Sequence, residues 1–329
     1  MGYGYRCQPQ WSNVVEKLKK NQAKTNIGEY ICQAKMKAQT AAIKIPARSK
    51  FSDYAQLTKM RLASLVVFSA LTGYFFAVDI SGANIIHILW LIVGGFLVTG
   101  SSNAFNQIIE RDYDKLMNRT QDRPIPNGRM EVSEALLVAA VTGVVGLLIL
   151  WFGLNPLSGI LGALALFSYV AVYTPLKRVG SIAVFVGSFP GAIPPMLGYV
   201  AYTGDFGLIP GVLFAAQFMW QFPHFWAIAW KANEDYSKAG FKLMPSSQGK
   251  GKVSAMYILL YTVFLVPISL TPIVFTEMDW IRMVTVSIAG LAFLWFAIDL
   301  YRKRSDEAAL KLMFASFVYL PVIQLLYLI

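Results

Sequence analysis

From about position 62 onward the chain is a succession of apolar runs, each about 17 to 23 residues long, broken by polar segments. A run of that length, wound as a helix, crosses a hydrocarbon core of about 30 Å with its backbone hydrogen bonds satisfied internally. The pattern predicts nine such helices, near 62–78, 84–105, 132–152, 157–173, 181–201, 207–229, 253–275, 280–300 and 308–329. The expected fold is therefore an all-α membrane protein, a bundle of about nine transmembrane helices spanning 52–329. Residues 1–51 hold no long apolar run and form a separate basic extension, expected to be disordered or to lie on the membrane surface.

Composition agrees with this division. The chain of 329 residues is 56% hydrophobic and 14% charged, whereas a soluble domain carries about 25% charged residues. Charge then orients the bundle, because loops on the cytoplasmic side of a membrane hold the excess Lys and Arg. Of the 29 Lys and Arg, all but Arg282 precede the first helix or fall in every second loop. That places the N-terminus in the cytoplasm and the C-terminus outside. The net charge of +11 is accounted for by this asymmetry and by anionic lipid, which leaves no reason to invoke nucleic acid. Cys7 and Cys32 form no Cys-x-x-Cys pair and lie where thiols stay reduced. The extension does not resemble a secretory signal, and it is richer in Lys than a mitochondrial presequence would be. A bacterial plasma membrane is preferred over the mitochondrial inner membrane.

Two long polar connections on the basic side stand out, at 106–131 and 230–252, and both carry carboxylates among the cations. On a helix, positions four apart advance about 400°, so Asn106, Glu110 and Asp114 line one face as a ladder of oxygen ligands. Such a ladder suits Mg²⁺, which takes few protein ligands and completes its octahedron with water and substrate phosphate. Asp112 falls on another face. Arg111, Lys115 and Arg119 form a parallel stripe that Arg123 follows, and such groups match phosphate oxygens. Intrahelical ion pairs in a solvated loop are the plainer reading of these charges. In the second loop Glu234 and Asp235 lie just past the sixth apolar run, and two acidic clusters at one membrane face can hold metal ions against a diphosphate. Lys59, Arg61, Tyr173 and Lys177 lie at the inner ends of their helices, where the charge rule alone would also place the cations. His224 threads the sixth helix with Gln217, Gln221, Trp220 and Trp226. Polar groups inside a span are often functional, although a neighbouring helix can also satisfy a histidine.

Taken together, "NQIIERDYDKLMNRTQDRPIPNG", "YTPLKR", "FVGSFPGAIPPMLGYVA" and "WQFPHFWAIAWKANEDYSKAGFKLMP" resemble the motifs of the UbiA superfamily of intramembrane prenyltransferases, and within it the protohaem IX farnesyltransferases. The resemblance runs from about Ser52 to the C-terminus. Position 110 is Glu where many bacterial members have Asp, and position 60 is Met where the family often has Pro.

The resemblance implies an enzyme that joins farnesyl diphosphate to haem B, with water, to give haem O and diphosphate. It implies Mg²⁺ held by Asn106, Glu110, Asp114 and Asp235, with Glu234 beside them. Arg119, Arg123, Lys177, Arg178, Lys59 and Arg61 would bind the diphosphate, and His224, Tyr173 and Trp220 would contact haem or substrate. Membrane lipid surrounds such an enzyme, and haem A synthase or terminal oxidase assembly are the protein partners it suggests. The nearest rival reading is a sister enzyme that prenylates an aromatic acid or quinone precursor at a similar diphosphate site. A transporter would place ionisable groups at mid-membrane depth, and a pathway scaffold would not need the oxygen ladder.

Overall fold

The structure, a computed structural model, describes residues 49–276 and 278–328. The extension expected over 1–51, with Cys7 and Cys32, falls almost wholly outside these residues. A short helix α1 (Lys50–Leu57) leads into α2 (Met60–Ala77) and α3 (Ile85–Asp114). There follow α4 (Val132–Leu148), α5 (Pro156–Phe167), α6 (Ile182–Thr203) and α7 (Leu208–Lys231), then the short α8 (Asn233–Lys238). The last three are α9 (Lys252–Ile268), α10 (Trp280–Lys303) and α11 (Asp306–Leu326). Among the described residues there is no β-strand.

Setting aside α1, α8 and the short helical turns Thr174–Leu176 and Thr271–Val274, nine helices remain among the described residues, as the apolar runs predict. Eight of them are long and apolar enough to cross a membrane once their continuations are included. The exception is α7, which has the length, at 24 residues, but not the apolarity. Its Gln217, Gln221, Pro223 and His224 are all buried, so its polar groups face the bundle and not lipid.

The helices end where the sequence supplies caps. Asn84 accepts from the backbone of Ile86 (2.9 Å) at the start of α3, and Asn155 accepts from Ser158 (2.8 Å) ahead of α5, where Pro156 takes the first turn. Each such cap satisfies an otherwise orphaned amide. Both α4 and α5 pass into π-helical turns, Ile149–Leu154 and Ser168–Tyr173.

Within lipid the packing of helix on helix relies on small residues and buried polar contacts, because tails and side chains are equally apolar. At the crossing of α2 and α6, a Cβ on Gly73 would run into the Pro195 carbonyl, and one on Gly198 into the Ala70 carbonyl. Glycine is required at both. Pro190, Pro194 and Pro195 sit inside α6 and are sheltered by its neighbours, the condition under which a spanning helix tolerates proline. Ser101 on α3 donates to the Ala139 carbonyl on α4 (2.7 Å). A larger polar knot joins α2, α6, α7 and α11. Ser69 donates to Gln217 Oε1 (2.6 Å), Gln324 donates to the same oxygen (2.8 Å), and Gln217 donates to the Gly191 carbonyl (2.7 Å).

At one end the basic loops meet. Arg129 donates to Asp53 (2.8 Å), to the Asp122 side chain (3.0 Å) and carbonyl (2.7 Å), and to Gln56 (3.0 Å), which ties the 115–131 segment to α1. Lys242 N–H donates to the Lys177 carbonyl (2.9 Å).

Candidate active site

The last turns of α3 carry the oxygen ladder into the bundle. Asn106, Glu110 and Asp114 are all buried and line one cavity of about 460 Å³. Asp114 is wholly buried at its side chain, and its Oδ2 receives Arg123 Nη1 at 2.6 Å. Its Oδ1 is buried with no hydrogen-bond partner among the described residues. Lys177 Nζ stands 2.7 Å from Glu110 Oε1. Burial opposes the charge on Lys177, yet Glu110 overcomes this and holds the ammonium pKa above its ordinary value. Asn106 donates to Thr174 Oγ1 (3.2 Å).

Lys59 stands at the same mouth. It joins α1 to α2 in the left-handed conformation, φ 49°, a strain of about 1–3 kcal/mol for a residue with a side chain. Burial, reinforced by the charges of Arg123 and Lys177, lowers its pKa to about 7. Arg119 completes the polar end, with its guanidinium 4.5 Å from the Tyr236 ring centroid.

Beyond this end the cavity turns apolar. Leu91, Gly95, Val98 and Leu150 line its depth, and Trp220, His224, Phe225 and Phe317 line one side. Trp220 stacks on His224 with centroids 4.4 Å apart and planes 17° apart. His224 Nδ1 lies 2.7 Å from Ser316 Oγ. Leu62, Leu65 and Phe317 line the cavity and are also exposed, so it opens sideways where α2 and α11 flank it.

The structure therefore brings together Asn106, Glu110, Asp114, Lys59, Arg119, Arg123, Lys177, Tyr173, Trp220 and His224 around one cavity. It does not bring four other expected residues there. Arg61 is exposed on the outer face of α2. Arg178 instead donates to Tyr113 Oη (2.6 Å) and covers its ring. Glu234 is exposed, and Asp235 accepts from Arg119 N–H (3.3 Å) and pairs with Lys238 (3.2 Å). Burial works against the Asp235 charge, but Lys238 and the amides of Arg119 and Asn118 hold its pKa below the usual carboxylate value. Nor does the stripe of Arg111, Lys115 and Arg119 persist. The helix ends at Asp114, leaving Arg111 and Lys115 against exposed Asp112, while the turn that follows draws Arg123 inward to Asp114 and sets Arg119, itself exposed, at the cavity's edge.

Residues the pattern missed include Thr174, Tyr169 and Tyr236, which line or support the polar end, and Ser316. A lone hydroxyl in an apolar helix carries no spacing signal, although the π turn containing Tyr169 is of a kind common at functional sites. No three of the described His, Cys, Asp and Glu side chains cluster closely enough to hold a metal unaided. Two carboxylates and an amide are nonetheless what Mg²⁺ takes from a protein when phosphate and water fill its other positions. The unpartnered Asp114 Oδ1 is the kind of oxygen such an ion uses.

Known proteins share both this sequence and this fold. The chain is 46% identical over 289 residues to the protoheme IX farnesyltransferase of Flavobacterium psychrophilum, covering 86% of this chain and 96% of that one. It is 46% identical to the one from Christiangramia forsetii, covering 86% and 94%. Among solved structures, a digeranylgeranylglyceryl phosphate synthase superposes with a TM-score of 0.71 at 19% identity, covering 85% of this chain and 97% of that one. A UbiA homologue from Archaeoglobus fulgidus bound to GPP and Mg²⁺ gives 0.61 at 16%, covering 84% and 99%. The model of the UbiA prenyltransferase family matches residues 66–319, and the chain, a multi-pass membrane protein, belongs to that family.

Proposed function

We propose that the chain transfers the farnesyl group of farnesyl diphosphate to a vinyl group of haem B, and that water completes the hydroxyethylfarnesyl side chain of haem O. The observation that carries this reading is one cavity with two chemically different ends. Paired carboxylates and cations occupy one end, and an apolar floor beside an aromatic wall forms the other. Relatives at 46% identity that bear the farnesyltransferase name support the choice of acceptor.

On this reading Asn106, Glu110 and Asp114 would hold Mg²⁺, which would neutralise the diphosphate. Arg119, Arg123 and Lys177 supply fixed positive charge where the leaving group gains negative charge, Lys59 adds to it once the arriving diphosphate favours its protonated form, and such preorganised charge lowers the barrier in a site shielded from water. Asp235 holds Arg119 by its backbone. The apolar floor takes the isoprenoid chain and keeps bulk water from the allylic cation. Trp220 and His224 form the wall against which the porphyrin lies, and Tyr173, under Lys177 at 4.7 Å, separates the two ends. The basic loops face the cytoplasm of a bacterium, with the N-terminus on that side and the C-terminus outside.

The test is mass spectrometry of porphyrin extracted after purified protein meets farnesyl diphosphate, haem B and Mg²⁺, with and without EDTA. A magnesium-dependent gain of a hydroxyethylfarnesyl group is expected. Recovery of unchanged haem B, with an aromatic acid prenylated in a parallel reaction, would exclude haem as the acceptor.

A further inference from the structure

Resting on that reading, one step still lacks an assigned residue. The ring-attached cation left after farnesyl addition must be quenched by water, and that water must lose a proton. Among the described residues that line the cavity, the other titratable groups are committed elsewhere. Glu110 and Asp114 are paired with Lys177 and Arg123. Lys59 and Arg119 belong to the diphosphate end, and Tyr169, Tyr173 and Tyr236 are phenols.

The contacts around His224 favour one tautomer. The one hydroxyl proton of Ser316 is given to the Met313 carbonyl at 2.6 Å. With its proton placed there, Ser316 Oγ is left to accept, at 2.7 Å, from His224 Nδ1–H, and this is the tautomer we infer. A neutral imidazole carries one N–H, so Nε2 keeps its lone pair, and it has no hydrogen-bond partner among the described residues. The ring is clamped in that pose. Trp220 stacks on one face and donates through Nε1 to the Ser316 carbonyl (3.0 Å), while Phe317 meets the ring edge-on with centroids 4.8 Å apart. His224 also lies at a suitable depth. It precedes the end of α7 by seven residues, about 10 Å along the axis, whereas Glu110 lies about 6 Å from the end of α3. The two ends meet at the same side, through Asp235 and Arg119, so His224 sits deeper than the carboxylates, where the carbon released from diphosphate would be.

We propose that His224 Nε2 is the base that takes the proton of the quenching water, with Ser316 as the positioning residue that sets its tautomer. The C1–O bond of farnesyl diphosphate breaks with its electron pair leaving on the diphosphate. The vinyl π electrons form the new bond to C1, which puts the positive charge on the ring-attached carbon. A water oxygen bonds to that carbon, one of its protons passes to Nε2, and the imidazolium then yields it to the departing diphosphate. Charge and atoms balance without an oxidant.

The test compares wild type, His224→Gln and Ser316→Ala, each as the full chain with haem B, farnesyl diphosphate and Mg²⁺ in ¹⁸O water. Porphyrin products are resolved by mass. With His224→Gln the cation should instead lose a proton from the adjacent farnesyl-bearing carbon, giving an alkene lighter than the normal product by one water. The ¹⁸O-labelled hydroxyl fraction should fall at least about tenfold, since a lost general base costs about 10²-fold or more where no other route exists. Ser316→Ala, which keeps the imidazole but frees its tautomer, should show a smaller shift in the same direction and serves alone if His224→Gln does not fold. A hydroxylated fraction equal to wild type in both variants would overturn the proposal. So would loss of all products from a His224→Gln protein that melts as wild type does, or a low-spin haem spectrum lost in that variant with hydroxylation unchanged. Absence of hydroxylated product from wild type would instead count against the reaction itself.

Discussion

At the scale of single residues, the polar end of the cavity is held by two buried ion pairs. Removing one partner of such a pair strands a buried charge, at a cost of about 3–5 kcal/mol. Lys177→Met should therefore lower the melting temperature in detergent markedly, because Glu110 is left uncompensated. The double variant Lys177→Met with Glu110→Gln should recover most of the loss, and failure to recover would show that the pair is not what stabilises this end. Asp114→Asn should reduce turnover by about 10²-fold or more, the scale seen when one preorganised electrostatic group is lost. If turnover persists within a few-fold of wild type, Asp114 is not part of the diphosphate site.

Lys59 gives a pH dependence of definite sign. Its pKa in the folded chain is about 7, and an unfolded lysine titrates near 10.4. Between these values the unfolded chain binds the extra proton, so the contribution of Lys59 to stability rises with pH over that interval. Lys177 acts oppositely, but its stabilisation is full below the unfolded value and is lost only above it. The melting temperature of the unliganded protein should climb between pH 7 and 9.5 by an increment that Lys59→Met abolishes. An unchanged slope in that variant would refute the assignment.

At the scale of elements, the close crossing of α2 and α6 is the feature most exposed to substitution. Gly198→Ala drives a methyl into the Ala70 carbonyl, and overpacking against an unyielding neighbour costs about 1–3 kcal/mol or more. A lower melting temperature is expected, together with reduced turnover, because Lys59 immediately precedes α2 and would shift as the helix tilts. A variant that melts and turns over as wild type would show that the crossing has slack. The spans themselves were legible in the sequence because run length and polarity are local properties that lipid reads directly. The ladder on α3 was legible for the same reason, since Asn106, Glu110 and Asp114 share one helix and its period. What was not legible depends on turns and on distant partners. Nothing near Asp235 announces that it accepts from the Arg119 backbone, and nothing near Arg178 that it turns to Tyr113. The sixth span's Gln217 gains its meaning only from partners such as Ser69 and Gln324, which lie on two other helices.

At the scale of the whole molecule, the basic loops gather at one end, which the proposed orientation turns towards the cytoplasm. With Cys7 and Cys32 replaced by serine, Ser247→Cys should resist a membrane-impermeant thiol reagent in intact spheroplasts, while Asp205→Cys should react. The reverse labelling would invert the proposed orientation. The same end has a further consequence in the way its charges are paired. Each carboxylate already faces a cation of the protein, so a metal ion alone would be repelled by Lys177 and Arg123, and a diphosphate alone would be repelled by Glu110 and Asp114. On the proposed reading, when both arrive the carboxylates would turn to the metal and the cations to the phosphates, and no charge would be left stranded. The two ligands should thus promote each other's binding, reciprocally as linkage demands, so that the empty site discriminates against either one in isolation.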